Sequence, residues 1–122
     1  MTAPHAPLVA QPDVEAWVWA NVGHLHGVTS FCYAASLPWP TWLAIYEIQI
    51  DCRARRKSAA RALAEEVRLI IQGLTDVNWD EGVIARVQLI EGPFWLPDED
   101  GAPRYTTRWQ IRARPRRATA GP

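Results

Sequence analysis

Polar and apolar residues alternate most regularly between Trp42 and Arg53. Tyr46, Ile48, Ile50 and Cys52 fall on one face of an extended chain there, and Glu47, Gln49, Asp51 and Arg53 fall on the other. Side chains of a strand point to its two faces in turn, so this stretch predicts a strand with one face on a core and one towards water or a partner. The period then changes. Ala62, Leu63, Val67, Ile70, Ile71 and Leu74 recur at helical spacing, which predicts a long helix from Ala59 to Gln72 with Ser58 as its cap and Gly73 as its stop. Arg61, Glu65 and Arg68 occupy its outer face at spacings that favour ion pairs.

The same reading extends to both ends. Pro12-Asp13 looks like a helix entrance, with Asp13 as N-cap and Glu15 where the helix dipole favours an acid. Val14, Trp17, Val18 and Val22 then mark a short amphipathic helix to about Leu25, closed by Gly23 and Gly27. Val28–Ala35 is rich in β-branched and aromatic residues and predicts a strand, ended by the turn residues Ser36-Leu37-Pro38-Trp39-Pro40. After the acidic connector Thr75–Gly82 come two alternating runs, Val83–Ile90 and Tyr105–Ala113, that form a hairpin. Its first strand sets Val83, Ala85, Val87 and Leu89 on one face. Its second sets Tyr105, Thr107, Trp109, Ile111 and Ala113 opposite Thr106, Arg108, Gln110, Arg112 and Arg114.

The order of elements predicts an α+β fold, with a single four-stranded, mainly antiparallel sheet packed on one long helix, plus a short N-terminal helix and a long hairpin loop. Residues 1–12 read as a flexible arm, 13–115 as the one domain, and 116–122 as a disordered basic tail.

The hairpin connection, Glu91 to Tyr105, is the unusual stretch. Pro93, Pro97 and Pro103 remove backbone donors, so ladder pairing is expected to stop there, and Asp98-Glu99-Asp100-Gly101 is turn chemistry. Phe94, Trp95 and Leu96 are large apolar groups of a kind that a solvated tip seldom carries. The expectation is a loop held stiff by prolines that packs on a neighbouring subunit.

Composition adds three points. Apolar residues make up 48% of the 122 residues and charged residues 21%, the range of an ordinary single domain. The seven tryptophans are many for this length, so several are expected at half-exposed seams. The net charge is zero, yet residues 76–100 hold seven acids against Arg86 alone, while residues 104–122 hold six arginines and no acid. Opposite-signed blocks suit self-association, or neutralise each other within one subunit. Cys32 and Cys52 lack metal or redox spacing and are expected to be reduced and buried. The opening residues form no signal peptide and no apolar run approaches a membrane span, so the expectation is a soluble protein made in a cytoplasm.

Candidate chemistry is sparse. His24 and His26 lack a further ligand at metal spacing, and Asp98-Glu99-Asp100 lacks the other oxygens of a calcium loop. No nucleophile elbow or glycine-rich phosphate loop is present, and the expectation is a protein that is not an enzyme and carries no cofactor. A pocket around His24 and His26 would be the site of any metal enzyme. The arginine face Arg108, Arg112 and Arg114 could bind an anion, but alternation puts Trp109 on the other face, so stacking and charge would not meet there. Glu47 and Asp51 are the expected partners of these arginines, within the sheet or across a subunit seam.

The arrangement as a whole, over residues 13–114, resembles the tail terminator (tail completion) proteins of long-tailed bacteriophages that infect actinobacteria. The residues that carry the likeness are the helix with Trp17 and Trp19, the strand-to-helix run Gln49-Ile50-Asp51-Cys52 followed by Ser58-Ala59-Ala60-Arg61-Ala62-Leu63-Ala64, and above all Trp95-Leu96-Pro97-Asp98-Glu99-Asp100-Gly101-Ala102-Pro103-Arg104-Tyr105. The resemblance implies a homohexameric ring on the last ring of major tail tube protein, facing the head-completion proteins of the neck, with DNA passing through its lumen only transiently and no membrane. It implies a place in the virion at the tail–neck junction, after assembly in the host cytoplasm, and no catalytic motif. Under it, Phe94, Trp95, Leu96, Pro97, Asp98, Arg104 and Tyr105 are the expected subunit interface. Glu47, Gln49, Asp51, Arg108, Arg112 and Arg114 are the expected polar sheet face for ring register or lumen. The alternatives are another neck protein of similar fold and a nucleic-acid-binding module.

Overall fold

The computed structural model describes residues 13–36, 43–75, 77–79 and 82–115. The N-terminal arm, the Pro38-Trp39-Pro40 turn, part of the acidic connector and the basic tail lie outside the described residues. The elements run α1 (Val14–Val22), β1 (Val28–Ser36), β2 (Ala44–Arg53), α2 (Lys57–Gln72), β3 (Val77–Trp79), β4 (Gly82–Trp95) and β5 (Arg104–Pro115). This is an α+β fold. The four long strands form an antiparallel sheet, and the three-residue β3 extends it beyond β4, giving the order β1-β2-β5-β4-β3.

The two central strands are the ones whose alternation is cleanest. β2 and β5 pair without a break from Ala44↔Ala113 to Arg53↔Arg104. Ala44, Tyr46, Ile48, Ile50 and Cys52 on β2 meet Tyr105, Thr107, Trp109, Ile111 and Ala113 on β5, and all of them are buried. Each fully buried isoleucine here contributes roughly 1.5–3 kcal/mol through the apolar surface removed from water. Trp109 is the largest of the group, and its indole Nε1 donates to Thr107 Oγ1 at 2.8 Å, so the burial leaves no orphan donor.

α2 lies across β2, β5 and β4, and α1 packs on β1 and α2, so both helices contribute to one core on one face of the sheet. α2 touches the sheet through Ala60, Ala64, Val67 and Ile71. This stripe is rotated from the expected one: Ala62 is exposed, and Leu63, Ile70 and Leu74 flank the core. Small residues are favoured at the line of closest approach, where helix backbone meets strand side chains. The helix also starts earlier than expected. It follows β2 after only Ala54, Arg55 and Arg56, and the cap position is Arg56 with no side-chain cap bond, in place of Ser58.

α1 ends at Val22, short of Leu25, with Asp13 capping it through a 2.9 Å bond from Ala16 N. Gly27 then turns the chain into β1 at φ +92°, where any Cβ would strike the Arg53 carbonyl oxygen. Gly27 O accepts from Arg53 N, so the pairs of this ladder that exchange bonds alternate from there, and Cys32 N–H points away from β2. That outward donor is taken by the Glu15 carboxylate of α1.

The hairpin departs most from expectation. β4 does not stop at Ile90: its ladder with β5 continues through Glu91↔Arg108 and Phe94↔Thr106 to Trp95↔Tyr105. Gly92 and Pro93, joined by a cis peptide bond, are looped out between Glu91 and Phe94. A bulge absorbs the proline because the looped-out residue needs no ladder donor. Gly92, at φ +103°, lies so close to the Thr106 carbonyl that no side chain would fit. Two further slips, at Ile84/Arg86 and Leu89/Glu91, break the predicted alternation of β4. Ile84 is buried with Val87 and Leu89 beside the core, whereas Val83 shares a face with Arg114.

Candidate functional site

What remains of the loop is a short turn. Leu96 N donates to Arg104 O, Asp98 N to Ala102 O, and Gly101 N to Asp98 O, while Asp100 Oδ1 accepts from Ala102 N. The strand alternation carried into this region separates the apolar residues expected to act together. Phe94 points to the face without helices, under the Arg108 guanidinium at 5.6 Å from the ring centroid. Trp95 points to the helix side, where Tyr105 meets it edge-on at 5.4 Å and Lys57 Nζ sits 4.6 Å over its ring. Trp95 remains 39% exposed, whereas Tyr105 is buried within its own subunit. Leu96 is half-buried and Pro97 exposed.

Asp98 and Arg104 bind inward. Asp98 Oδ2 accepts from Arg53 Nε at 2.8 Å and its Oδ1 lies 3.1 Å from Arg104 Nη1. Arg104 Nε also donates to Leu96 O at 2.7 Å. The Arg53 hydrogen bond, aided by the charges of Arg53 and Arg104, holds the Asp98 carboxyl below its ordinary range. The turn is thereby clamped to the end of β2.

The clamp continues into the open face of the sheet. Asp51 is only 4% exposed although no helix covers it. Its Oδ1 accepts from Gln49 Nε2 at 3.0 Å and from Thr106 Oγ1 at 2.8 Å, and its Oδ2 lies 3.7 Å from both Arg53 and Arg104. Arg108 Nε donates to Gln49 Oε1 at 3.2 Å, and its Nη1 pairs with Glu91 at 2.6 Å. Long arginine stems laid over a sheet thus bury polar groups without a second layer.

All six residues of the expected polar face do share this face: Glu47, Gln49 and Asp51 on β2, and Arg108, Arg112 and Arg114 on β5. Within the sheet the pairing differs from the expected one. The register sets Gln49 opposite Arg108 and Asp51 opposite Thr106, so Asp51 serves Arg53 and Arg104, while Glu91 serves Arg108. Among the described residues Arg112 and Arg114 make no ion pair, and Arg112 Nε is buried without a hydrogen-bond partner.

Arg86, opposite Arg112, joins this face, and so does Phe31 of β1, opposite Gln49, while Tyr33, at the bulge between Cys32 and Ala34, sets its ring against that of Phe31. The spacing of Phe31 and Tyr33 already allowed a shared face. The β4 slip at Ile84/Arg86 hid the place of Arg86.

A broad depression of about 950 Å³ lies at the start of α2, lined by His26, Arg53, Arg55, Leu63, Glu66 and Pro103 among others. His24 is exposed and not part of it. Among the described residues no three metal-ligating side chains come together. Cys52 is buried and its thiol is pushed up to about 12, first by burial and then by the Asp51 charge. Cys32 is only partly buried, with its Sγ donating to Ala34 O at 3.2 Å. No helix among the described residues is long and apolar enough to cross a membrane.

No protein-family model matches the chain, and no curated protein matches it in sequence.

Proposed function

We propose that this chain is a non-catalytic structural subunit of a bacteriophage virion that closes into a homohexameric ring, caps the tail tube, ends its polymerisation and joins the tail to the head–neck connector. The observation that carries the reading is the construction of the β4–β5 tip. An exposed tryptophan edge and Pro97 stand on a turn fixed in advance by Arg53, Arg104 and Asp98, so a partner could be met with little ordering cost. A half-exposed tryptophan beside a cation and a second aromatic ring is the kind of group that anchors interfaces. A patch that meets a different patch on the next copy generates a closed ring when the rotation closes. The tail tube protein, the head-completion protein and another copy of this chain are the partners under this reading.

Negative-stain images and native mass spectrometry of the purified chain test it. Rings are expected for the wild type, and Trp95→Ala is expected to lower ring occupancy while the thermal midpoint of the subunit holds. A wild type that stays monomeric at every concentration would overturn the ring. An intact Trp95→Ala ring would remove the tip from its interface.

A further inference from the structure

We propose that the open face of the sheet binds single-stranded nucleic acid, with Phe31 and Tyr33 stacking on bases and Arg86, Arg112 and Arg114 holding phosphates. The inference stands on this face alone and does not depend on the ring.

The arginines of this face divide into two groups. Arg53, Arg104 and Arg108 are matched by Asp51, Asp98 and Glu91. Arg86, Arg112 and Arg114 have no ion pair among the described residues, and they sit together at the far end of the β4–β5 ladder. Arg86 and Arg112 are direct cross-strand neighbours, an arrangement that repels like charges. Arg112 Nε is, in addition, buried without a hydrogen-bond acceptor, which costs free energy until an acceptor arrives. An oxyanion placed between these guanidiniums relieves both penalties. Glu47 lies on the same face, and its single charge is outweighed by the three arginines.

The aromatic pair supplies the second half of the recognition. Phe31 is 45% exposed and Tyr33 is 44% exposed, with their rings edge-to-face at 6.3 Å. Phe31 aligns with Gln49 and Arg108 across the sheet, and Tyr33, at the bulge between Cys32 and Ala34, keeps its ring against that of Phe31, so both rings stand on the arginine face. β2 alone lies between β1 and β5, so the rings and Arg112 and Arg114 are two strand spacings apart, roughly 10 Å across the sheet, with Arg86 one spacing further. An acidic peptide would satisfy the arginines but leave the aromatic pair without a matching surface. A single strand offers phosphates and unstacked bases at once, whereas in a duplex the base faces are already occupied. Trp109 takes no part, being buried on the other face.

Fluorescence anisotropy with labelled oligo-dT, oligo-U and a duplex of equal length tests the proposal. Both single strands are expected to bind at low salt and the duplex more weakly; a preference between oligo-dT and oligo-U would name the natural source. Engagement of three phosphates gives a slope of about −2 in log affinity against log salt. Arg112→Gln should reduce that slope by about 0.7. Tyr33→Ala, at an exposed position, should weaken binding about ten-fold with the slope unchanged, and circular dichroism checks its fold. The proposal is overturned if neither oligonucleotide binds, if the duplex binds as tightly as the single strands and Tyr33→Ala has no effect, or if polyglutamate binds in their place. None of these outcomes would touch the ring reading, which rests on the tip.

Discussion

Trp109 shows how the side of a sheet that a side chain takes follows from its place in a strand. Its place in the alternation of β5 put it on the core side, and it is fully buried there. Its bond to Thr107, two positions along the same face, follows from that alternation too. Trp109→Ala is expected to cost about 3–5 kcal/mol, the range for emptying an aromatic site in a packed core. Urea denaturation should show this as a lowered midpoint with an unchanged slope. Asp51 is the opposite case. Alternation placed it correctly on the open face, but its burial depends on Arg53 and Arg104 folding over it, and no local pattern announces where two arginine stems will lie.

At the scale of elements, β2 and β5, which pair without a break, were legible in both extent and face, and β1 was legible in extent despite its bulge at Cys32/Ala34, whereas β4 was not. β2 and β5 were readable because ten consecutive pairs keep their register. β4 carries slips at Ile84/Arg86, Leu89/Glu91 and Glu91/Phe94, and each one moves later residues to the other face. Reading Pro93 as the end of pairing was therefore the natural error, since a bulge that hides a proline leaves no separate mark in composition. The candidate tip was legible as a stiff turn, but its split into a Phe94 side and a Trp95 side required the register. The clamp on this turn gives a pH prediction. Asp98 titrates lower when folded than when unfolded, so its contribution to stability is present above the ordinary carboxylate range and is lost as pH falls through the folded value. Acid titration followed by the Gly101 amide signal should show the turn loosening on the acid side only. In Asp98→Asn the turn should be looser already at neutral pH, and that acid transition should disappear.

The whole molecule has two unlike faces. One carries α1, α2 and the apolar core, and the other is a sheet face that no helix among the described residues covers, dressed with arginines, glutamines and a few aromatics. The charge blocks along the chain were expected either to pair within a subunit or to bring copies together, and among the described residues some of them pair within the chain. Glu91 and Asp98 are neutralised internally, while Glu99 and Asp100 stay exposed at the turn and Arg86 and Arg114 at the opposite end of the hairpin. If copies associate through those free ends, raising the salt concentration should shift sedimentation towards smaller species, because exposed charges are screened within a Debye length. Assembly that is indifferent to salt would exclude the charged ends as contacts.

The bond from Cys32 N to Glu15 has a consequence for how such copies can meet. β1 is an outer strand, and its free donors would ordinarily invite a strand from another molecule to dock alongside. The Glu15 carboxylate occupies that position in the middle of β1, and an incoming backbone would have to evict a charged acceptor to continue the ladder. The helix thus stands in the way of edge-to-edge growth along β1.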